Sequence, residues 1–344
     1  MPENTLIISD LHHRISGVSA SIRSLLPSLV KLGNVTFVAN KPHGDITAIS
    51  LFQLLVKLSR LPRCDNPIWH VRRNHEMFWG VLARRFLNRR LKLVFTSAAI
   101  RKHSLWPRYL ISKMDAVIAT SSKAASFVPN VKAIVPHGVD LDVFLHQNNK
   151  SQSWSAFDFS IGIVGRVRPE KGTDIFSHAI CELLPKYPNV CAVIVGKTTS
   201  KYMSLLNSMK ESWHAAGISK QVFILNEVAL EDMPAIYQSL DVVCCPAIYE
   251  GFGLVPIEAM VSGTAIVASK TGAYPDMIQE GENGLLVDCG DKVQFTNALE
   301  ELIKDRNKVE QFKLRGKSTV SKHFSLQSEV DGIMSVYQKL WSNQ

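Results

Sequence analysis

The chain has 344 residues, 46% of them apolar and 20% charged, an ordinary globular composition with room for about two domains of roughly 150 residues. Six scattered cysteines (Cys64, Cys181, Cys191, Cys244, Cys245 and Cys289) form no C-x-x-C pair and no zinc-type spacing, which excludes a disulfide framework and predicts reduced thiols in a cytoplasmic protein. The net charge of +9 is lopsided: residues 1–145 carry 20 Lys/Arg against 8 Asp/Glu, and the remainder 19 against 22.

The opening Met-Pro-Glu-Asn runs straight into the apolar residues 6–8, which predicts no leader peptide. No apolar run approaches the ~20 residues of a membrane span. Short β-branched runs then alternate with helical patterns. Residues 6–9 read as a strand, 19–32 as a helix with an Ile22, Leu25, Leu26, Leu29 stripe, and 35–39 as a second strand. A helix over 46–58, a strand over 68–71, a helix over 77–86 and a strand over 91–96 follow. The first half closes with a helix over 107–113 and strands over 116–120 and 133–136. A polar stretch at 146–153 has linker composition. Beyond it the alternation restarts, with strands over 159–164, 190–195, 222–225, 242–245, 265–269 and 284–287. Such alternation predicts an α/β chain with two parallel sheets, in which ligands bind beyond the strand C-termini.

Two loops at such strand ends carry chemistry. Gly165-Arg166-Val167-Arg168-Pro169-Glu170-Lys171-Gly172 follows the strand at 159–164. Gly165 permits a tight turn there, and Arg166 and Lys171 sit where a helix opens, a place that suits a diphosphate. It is neither a Walker A loop nor a G-x-G-x-x-G fingerprint. Tyr249-Glu250-Gly251-Phe252-Gly253-Leu254-Val255-Pro256-Ile257-Glu258 follows the strand at 242–245. Its glycines allow close approach to a ligand, and Pro256 opens a helix carrying Glu258 in its first turn. Carboxylates so placed are acceptors for vicinal hydroxyls of a sugar or ribose, although Glu258 also fits a helix-dipole role.

The glutamate pair, the G-R-x-x-x-x-K-G loop, Gly272 and Gly281-Glu282-Asn283-Gly284 together resemble glycosyltransferase family 4. Ile15-Ser16-Gly17-Val18-Ser19 looks like that family's first glycine loop, and His137-Gly138-Val139-Asp140 like its Gly-Val-Asp segment. The resemblance implies the GT-B fold, with two Rossmann-like domains facing across a cleft. The boundaries expected are an acceptor-binding domain over 1–145, a linker over 146–158 and a nucleotide-sugar domain over 159–322. A helix over 323–344 would pack back on the first domain. Carried over by residue, Arg166 and Lys171 would hold the donor diphosphate, and Glu250 would contact the donor sugar. Glu258 would take the ribose hydroxyls, Phe252, Gly253 and Leu254 would lend backbone amides, and Gly17 would approach the phosphates. The family retains anomeric configuration and needs no catalytic metal or other cofactor.

The stretches Trp69–Met77, Val94–Ala99, Arg108–Thr120, Ala125–Val131 and Gly165–Thr173 are similar to the lipopolysaccharide core mannosyltransferases of Gram-negative bacteria. That resemblance implies a GDP-mannose donor and an anionic lipid-linked acceptor of the Kdo-lipid A type, reached at the inner-membrane surface. A UDP-glucose or UDP-galactose donor is the alternative. From Lys57 to Lys113 there are 14 basic side chains against Asp65 and Glu76, a field suited to an anionic partner. No helix-turn-helix, zinc or base-stacking motif accompanies it, so nucleic acid is not the expected partner. A nicotinamide dehydrogenase would need the missing fingerprint. Asp140-Leu141-Asp142 has the D-x-D form of metal sites, but its place in the Gly-Val-Asp segment points away from metal. His12-His13 are read as loop histidines; His70, His75 and His103 lie in the acceptor-side domain, where any could meet a substrate hydroxyl, and the favoured reading of each is a satisfied structural histidine. Asn226 and Asp276 depart from the commoner Gly and Glu of the family, which bears on the base pocket.

Overall fold

The computed structural model describes residues 4–12, 17–62, 65–146 and 152–342. Contacts divide the chain into two compact units, Met1–His137 with Leu326–Gln344, and Gly138–Ser325.

The first unit holds six parallel strands: β1 (Leu6–Asp10), β2 (Val35–Ala39), β3 (Ile68–Val71), β4 (Lys92–Ser97), β5 (Ala116–Ala119) and β6 (Val131–Ile134). Their order is β2-β1-β3-β4-β5-β6. The two-residue pleat sends Leu6 and Ile8 to one face and Ile7 to the other. On the first face they meet the expected stripe of Ile22, Leu25, Leu26 and Leu29 from the helix Gly17–Leu32. The helix Leu326–Ser342 adds Val330, Ile333 and Tyr337 to the same core. Its tie is polar as well as apolar: His70 in β3 bonds the Tyr337 hydroxyl through Nδ1 at 2.5 Å and Thr96 Oγ1 through Nε2 at 2.6 Å. Burial, with the Arg72 charge adding to it, holds the His70 pKa well below the usual range, so the ring is neutral and structural.

The helix expected over 46–58 begins later, at Leu51–Arg60. Ser50 caps it, accepting from Gln53 N at 3.2 Å while Gln53 Oε1 accepts from Ser50 N at 2.8 Å. Ile49 is thereby left to bridge Val38 at the sheet edge.

The second unit repeats the plan with β7 (Phe159–Val164), β8 (Val190–Val195), β9 (Val222–Leu225), β10 (Val242–Cys245), β11 (Ala265–Ser269) and β12 (Leu285–Val287). All pairings are parallel, in the order β12-β11-β10-β7-β8-β9. Read from β9, this is the doubly wound order of dinucleotide-binding sheets, reversing between β7 and β10. Ile161 and Ile163 pack against Phe176, Ile180 and Leu183 of the helix Thr173–Leu183. Val243 and Cys245 face Ile257 and Met260 of the helix Val255–Val261.

Residues 138–145, assigned to the first domain from sequence, pack with this second unit. Phe144 meets Tyr237 at 6.2 Å between ring centroids, and the Val139 amide donates to the Phe324 carbonyl at 2.9 Å. Of the expected linker, residues 147–151 lie outside the described residues.

Candidate active site

The sheet of the second unit reverses its winding between β7 and β10, and both sequence-predicted loops leave the sheet there. Gly165 ends β7 at φ 134°, and its amide donates to the Val195 carbonyl at 2.8 Å. The chain then makes a short 3-10 turn, Pro169–Lys171, before the helix Thr173–Leu183. Gly172 joins the two at φ 70°, where a Cβ would lie 1.9 Å from the Pro246 carbonyl oxygen. Only glycine fits so close to the end of β10. The Glu170 carbonyl ties the loops further by accepting from the amides of Ile248 at 3.0 Å and Tyr249 at 3.4 Å.

This stitching brings Lys171 onto Glu250: the ammonium donates to Glu250 Oε2, with the two side chains 20% and 18% exposed. The Glu250 backbone is fixed from the far side by Gly272, at φ 54°, whose Cβ would stand 2.0 Å from the Glu250 carbonyl oxygen. Gly253, at φ 74°, leaves room for the Glu250 side chain and Tyr274. Arg166 is exposed and has no hydrogen-bond or ion-pair partner among the described residues.

Glu258 sits in the first turn of Val255–Val261, after Pro256, and Glu258 Oε2 accepts from the Tyr237 hydroxyl at 2.7 Å. Burial raises its pKa; the Tyr237 hydrogen bond and the Lys171 charge work against that rise. Phe252 turns its ring into the core, while the Gly253 and Leu254 amides donate to no other described residue. Behind them, burial pushes the Cys245 thiol up to about 12, Lys171 opposing and Glu250 reinforcing the shift. Tyr274 is likewise held well above its ordinary range by burial. Both groups are protonated at neutral pH, which leaves neither as an activated nucleophile.

Gly17 belongs to the first unit, where it opens the helix Gly17–Leu32; Ile15 and Ser16 lie outside the described residues, as does His13. Asp140 caps the helix Leu141–Leu145 by accepting from Asp142 N at 3.0 Å, which accounts for the D-x-D pattern locally. Among the described residues no cluster of three or more His, Cys, Asp or Glu is arranged to hold a metal ion. Asn226 is exposed just after β9.

Sequence reasoning missed two supports of this site. Tyr237 carries the hydrogen bond that orients Glu258, and no spacing rule links them across two helices. Gly196 ends β8 at φ 141°, where a Cβ would stand 2.2 Å from the Gly165 carbonyl oxygen. A lone glycine at a strand end was the available signal.

Residues 147–319 match the family profile of the glycosyl transferases group 1. The chain is 36% identical over 340 residues to the lipopolysaccharide core biosynthesis mannosyltransferase LpcC of Rhizobium leguminosarum bv. viciae, covering 97% of this chain and 96% of that protein. It is 32% identical over 344 residues to the lipopolysaccharide core biosynthesis mannosyltransferase LpsB of Rhizobium meliloti (strain 1021), covering 97% of each. The crystal structure of Anabaena Alr3699/HepE in complex with UDP shares the fold with a TM-score of 0.78 at 18% identity, over 98% of this chain and 100% of that one.

Proposed function

The chain belongs to the group 1 glycosyl transferases and has the GT-B fold, and from that premise we propose that it moves mannose from GDP-mannose to the Kdo-containing inner core of a lipid A precursor, with retention at the anomeric carbon. The observation carrying the chemistry is the Lys171–Glu250 ion pair at the reversal of the sheet. Identity with two core mannosyltransferases over nearly the whole chain supports the substrate class.

In this reading the unpartnered Arg166 and the ammonium of Lys171 take the donor diphosphate. Its charge draws Lys171 off Glu250, and that exchange frees the Glu250 carboxylate to accept hydrogen bonds from donor-sugar hydroxyls. As the glycosidic C–O bond breaks, negative charge grows on the leaving diphosphate, where both cations stabilise it. The amides of Gly253 and Leu254, beside Phe252, add neutral donors to the same group. Glu258, oriented by Tyr237, accepts from the ribose hydroxyls. We take same-face departure and attack as the route, with the Glu250 carboxylate engaged by the sugar hydroxyls and Cys245 and Tyr274 protonated.

Peripheral attachment to the cytoplasmic face of an inner membrane belongs to the same proposal. No helix among the described residues is long and apolar enough to cross a membrane. The first unit instead exposes aromatic rings: Phe78 and Trp79 on Asn74–Phe86, and Trp106 and Tyr109 on Leu105–Ile111. Trp106 stacks on Tyr109 at 5.9 Å and meets Phe78 at 6.1 Å, so they form one patch. Arg84, Arg85, Arg89 and Lys113 line a groove of about 660 Å³ beside it. Aromatic rings rimmed by cations suit an anionic lipid interface.

The test is a nucleotide-sugar screen on the purified chain with Kdo-lipid A and other lipid-linked acceptors, with product linkage determined. An α-mannoside on Kdo-lipid A is expected. Transfer from a UDP-hexose, or to another lipid alone, would overturn the reading.

A further inference from the structure

Adjacent arginines at the end of β3 have opposite fates. Arg73 is committed within the protein, with Nη1 on Asp10 at 2.7 Å and Nη2 on Ser19 Oγ at 2.9 Å. Arg72 turns the other way: its Nη1 donates to Ser21 Oγ at 3.0 Å, its backbone amide donates to Glu76 Oε2 at 2.9 Å, and its guanidinium has no ion-pair partner among the described residues. A guanidinium has five donors, so most of this one is uncommitted.

Arg72 lines a cavity of about 280 Å³ beyond the C-terminal ends of β3 and β4, together with Ser97 and His103. Ser97 is 2% exposed, and its hydroxyl has no hydrogen-bond partner among the described residues; neither does the buried Nε2 of His103. Buried polar atoms are rarely left unpaired, so two of them beside a guanidinium with donors to spare call for a ligand. The apolar wall is Val18, Phe95 and Ala98. The sheet reverses its order beside this cavity, between β1 and β3, the place where such sheets take ligands.

We propose that this cavity is a subsite for a carboxylate-bearing sugar, its carboxylate held by Arg72 and its remaining oxygens by Ser97 and His103. The volume is at the small end of the roughly 300–1,000 Å³ range of ligand pockets, which suits one acidic sugar residue of a larger acceptor. Charge favours a carboxylate over a phosphate. Arg72 supplies a single cation, and burial together with the Arg101 charge lowers the His103 pKa and leaves that ring neutral. The two carboxylates whose charges reach Arg72 are engaged elsewhere: Glu329 with His137 Nδ1 at 2.7 Å, and Glu76 with the backbone amides of Arg72 at 2.9 Å and Leu11 at 3.3 Å. One positive charge with neutral donors matches a monoanion. The inference rests on the acceptor reading above only for the choice of sugar.

The experiment is calorimetric titration of the full chain, without donor, by the methyl α-glycoside of Kdo, by its carboxyl-reduced analogue and by inorganic phosphate. The glycoside should bind and the reduced analogue should not. Arg72→Gln should weaken binding roughly 10- to 100-fold and Ser97→Ala about 2- to 10-fold, with Arg72→Lys between wild type and Arg72→Gln. Each variant should keep the far-UV circular dichroism spectrum and thermal melt of the wild-type chain, which reports that the unit carrying the substitution is folded. Equal binding of the reduced analogue, an unaffected Arg72→Gln or no binding to wild type would overturn the subsite. Competition by inorganic phosphate that vanishes in Arg72→Gln would replace the carboxylate by a phosphate and overturn it equally. Failure to transfer mannose would count against the proposed reaction alone, because no step of this measurement needs turnover.

Discussion

The Lys171 ammonium rests on the Glu250 carboxylate, and each side chain is about four-fifths buried. A donor diphosphate must therefore compete with Glu250 for the same cation. Lys171→Ala should lower kcat by roughly 10²–10³ if the ammonium meets the leaving group as an oxyanion-stabilising donor does. Glu250→Gln should split the two functions: turnover falls, while GDP binds about 2- to 5-fold tighter because Lys171 is released from its ion pair. Calorimetry with GDP beside steady-state kinetics reads both. A Glu250→Gln variant with weakened GDP binding would remove the competition.

Gly172 is the point on which that geometry turns. Gly172→Ala meets the Pro246 carbonyl in a left-handed backbone, a strain of about 1–2 kcal/mol before any clash. Gly217→Ala is the matched control, since Gly217 has φ 73° and open space around it. Gly172→Ala should lower the Tm by about 4–8 °C, Gly217→Ala by about half that, and only the former should impair turnover. Equal Tm losses would show that the Pro246 contact is soft.

Glu258 gives a pH signature. Its pKa is raised in the folded chain by burial, so above the ordinary value of 4.5 the folded state binds more protons than the unfolded one. Stability is lost as pH rises from there through the folded pKa. Glu258→Gln keeps an acceptor for Tyr237 and removes the buried charge. It should raise the Tm near pH 7.5, the gain shrinking toward pH 4.5, while GDP affinity falls. Thermal melts across that range are the check.

Asp140→Ala removes a helix cap and should cost about 0.5–2 kcal/mol of stability with kcat unchanged. Denaturant titration and turnover measure the two separately. A large loss of kcat would give the D-x-D pattern a role beyond capping.

The aromatic patch predicts membrane binding with two components. Arg84→Ala/Arg85→Ala should reduce binding to anionic vesicles at low salt, while Trp106→Ala should remove the part that survives high salt, where surface charges are screened. Vesicle co-sedimentation at two salt concentrations separates them. Binding abolished by salt in the wild-type chain would leave electrostatics alone.

Much of this was legible in order along the chain. Parallel strands, the two cationic and acidic loops, and Pro256 before Glu258 are local patterns whose geometry follows from a few neighbouring residues. The start of the helix Leu51–Arg60 was equally local: Ser50 and Gln53 form a capping box that outranks the apolar periodicity of 46–49. Arg72 and Arg73 are another matter. As neighbours they have the same composition and charge, and only Asp10 and Ser21, brought in from β1 and the helix after it, decide which guanidinium is consumed. Tyr237 and Glu258 pair across separate helices for the same reason. Long-range partners, not local propensity, set those roles.

The helix Leu326–Ser342 completes a unit whose other parts come from the first 137 residues. Synthesis runs from the N-terminus, so the unit translated first lacks Val330, Ile333 and Tyr337 until residues 326–342 leave the ribosome. Until then His70 has no Tyr337 hydroxyl to bond, and one face of the first sheet is covered only in part, by the helix Gly17–Leu32. The second unit is contiguous and waits for nothing downstream. The half of the chain that is made first is thus the half that matures last, and a chain stopped short of residue 326 would release it unfinished.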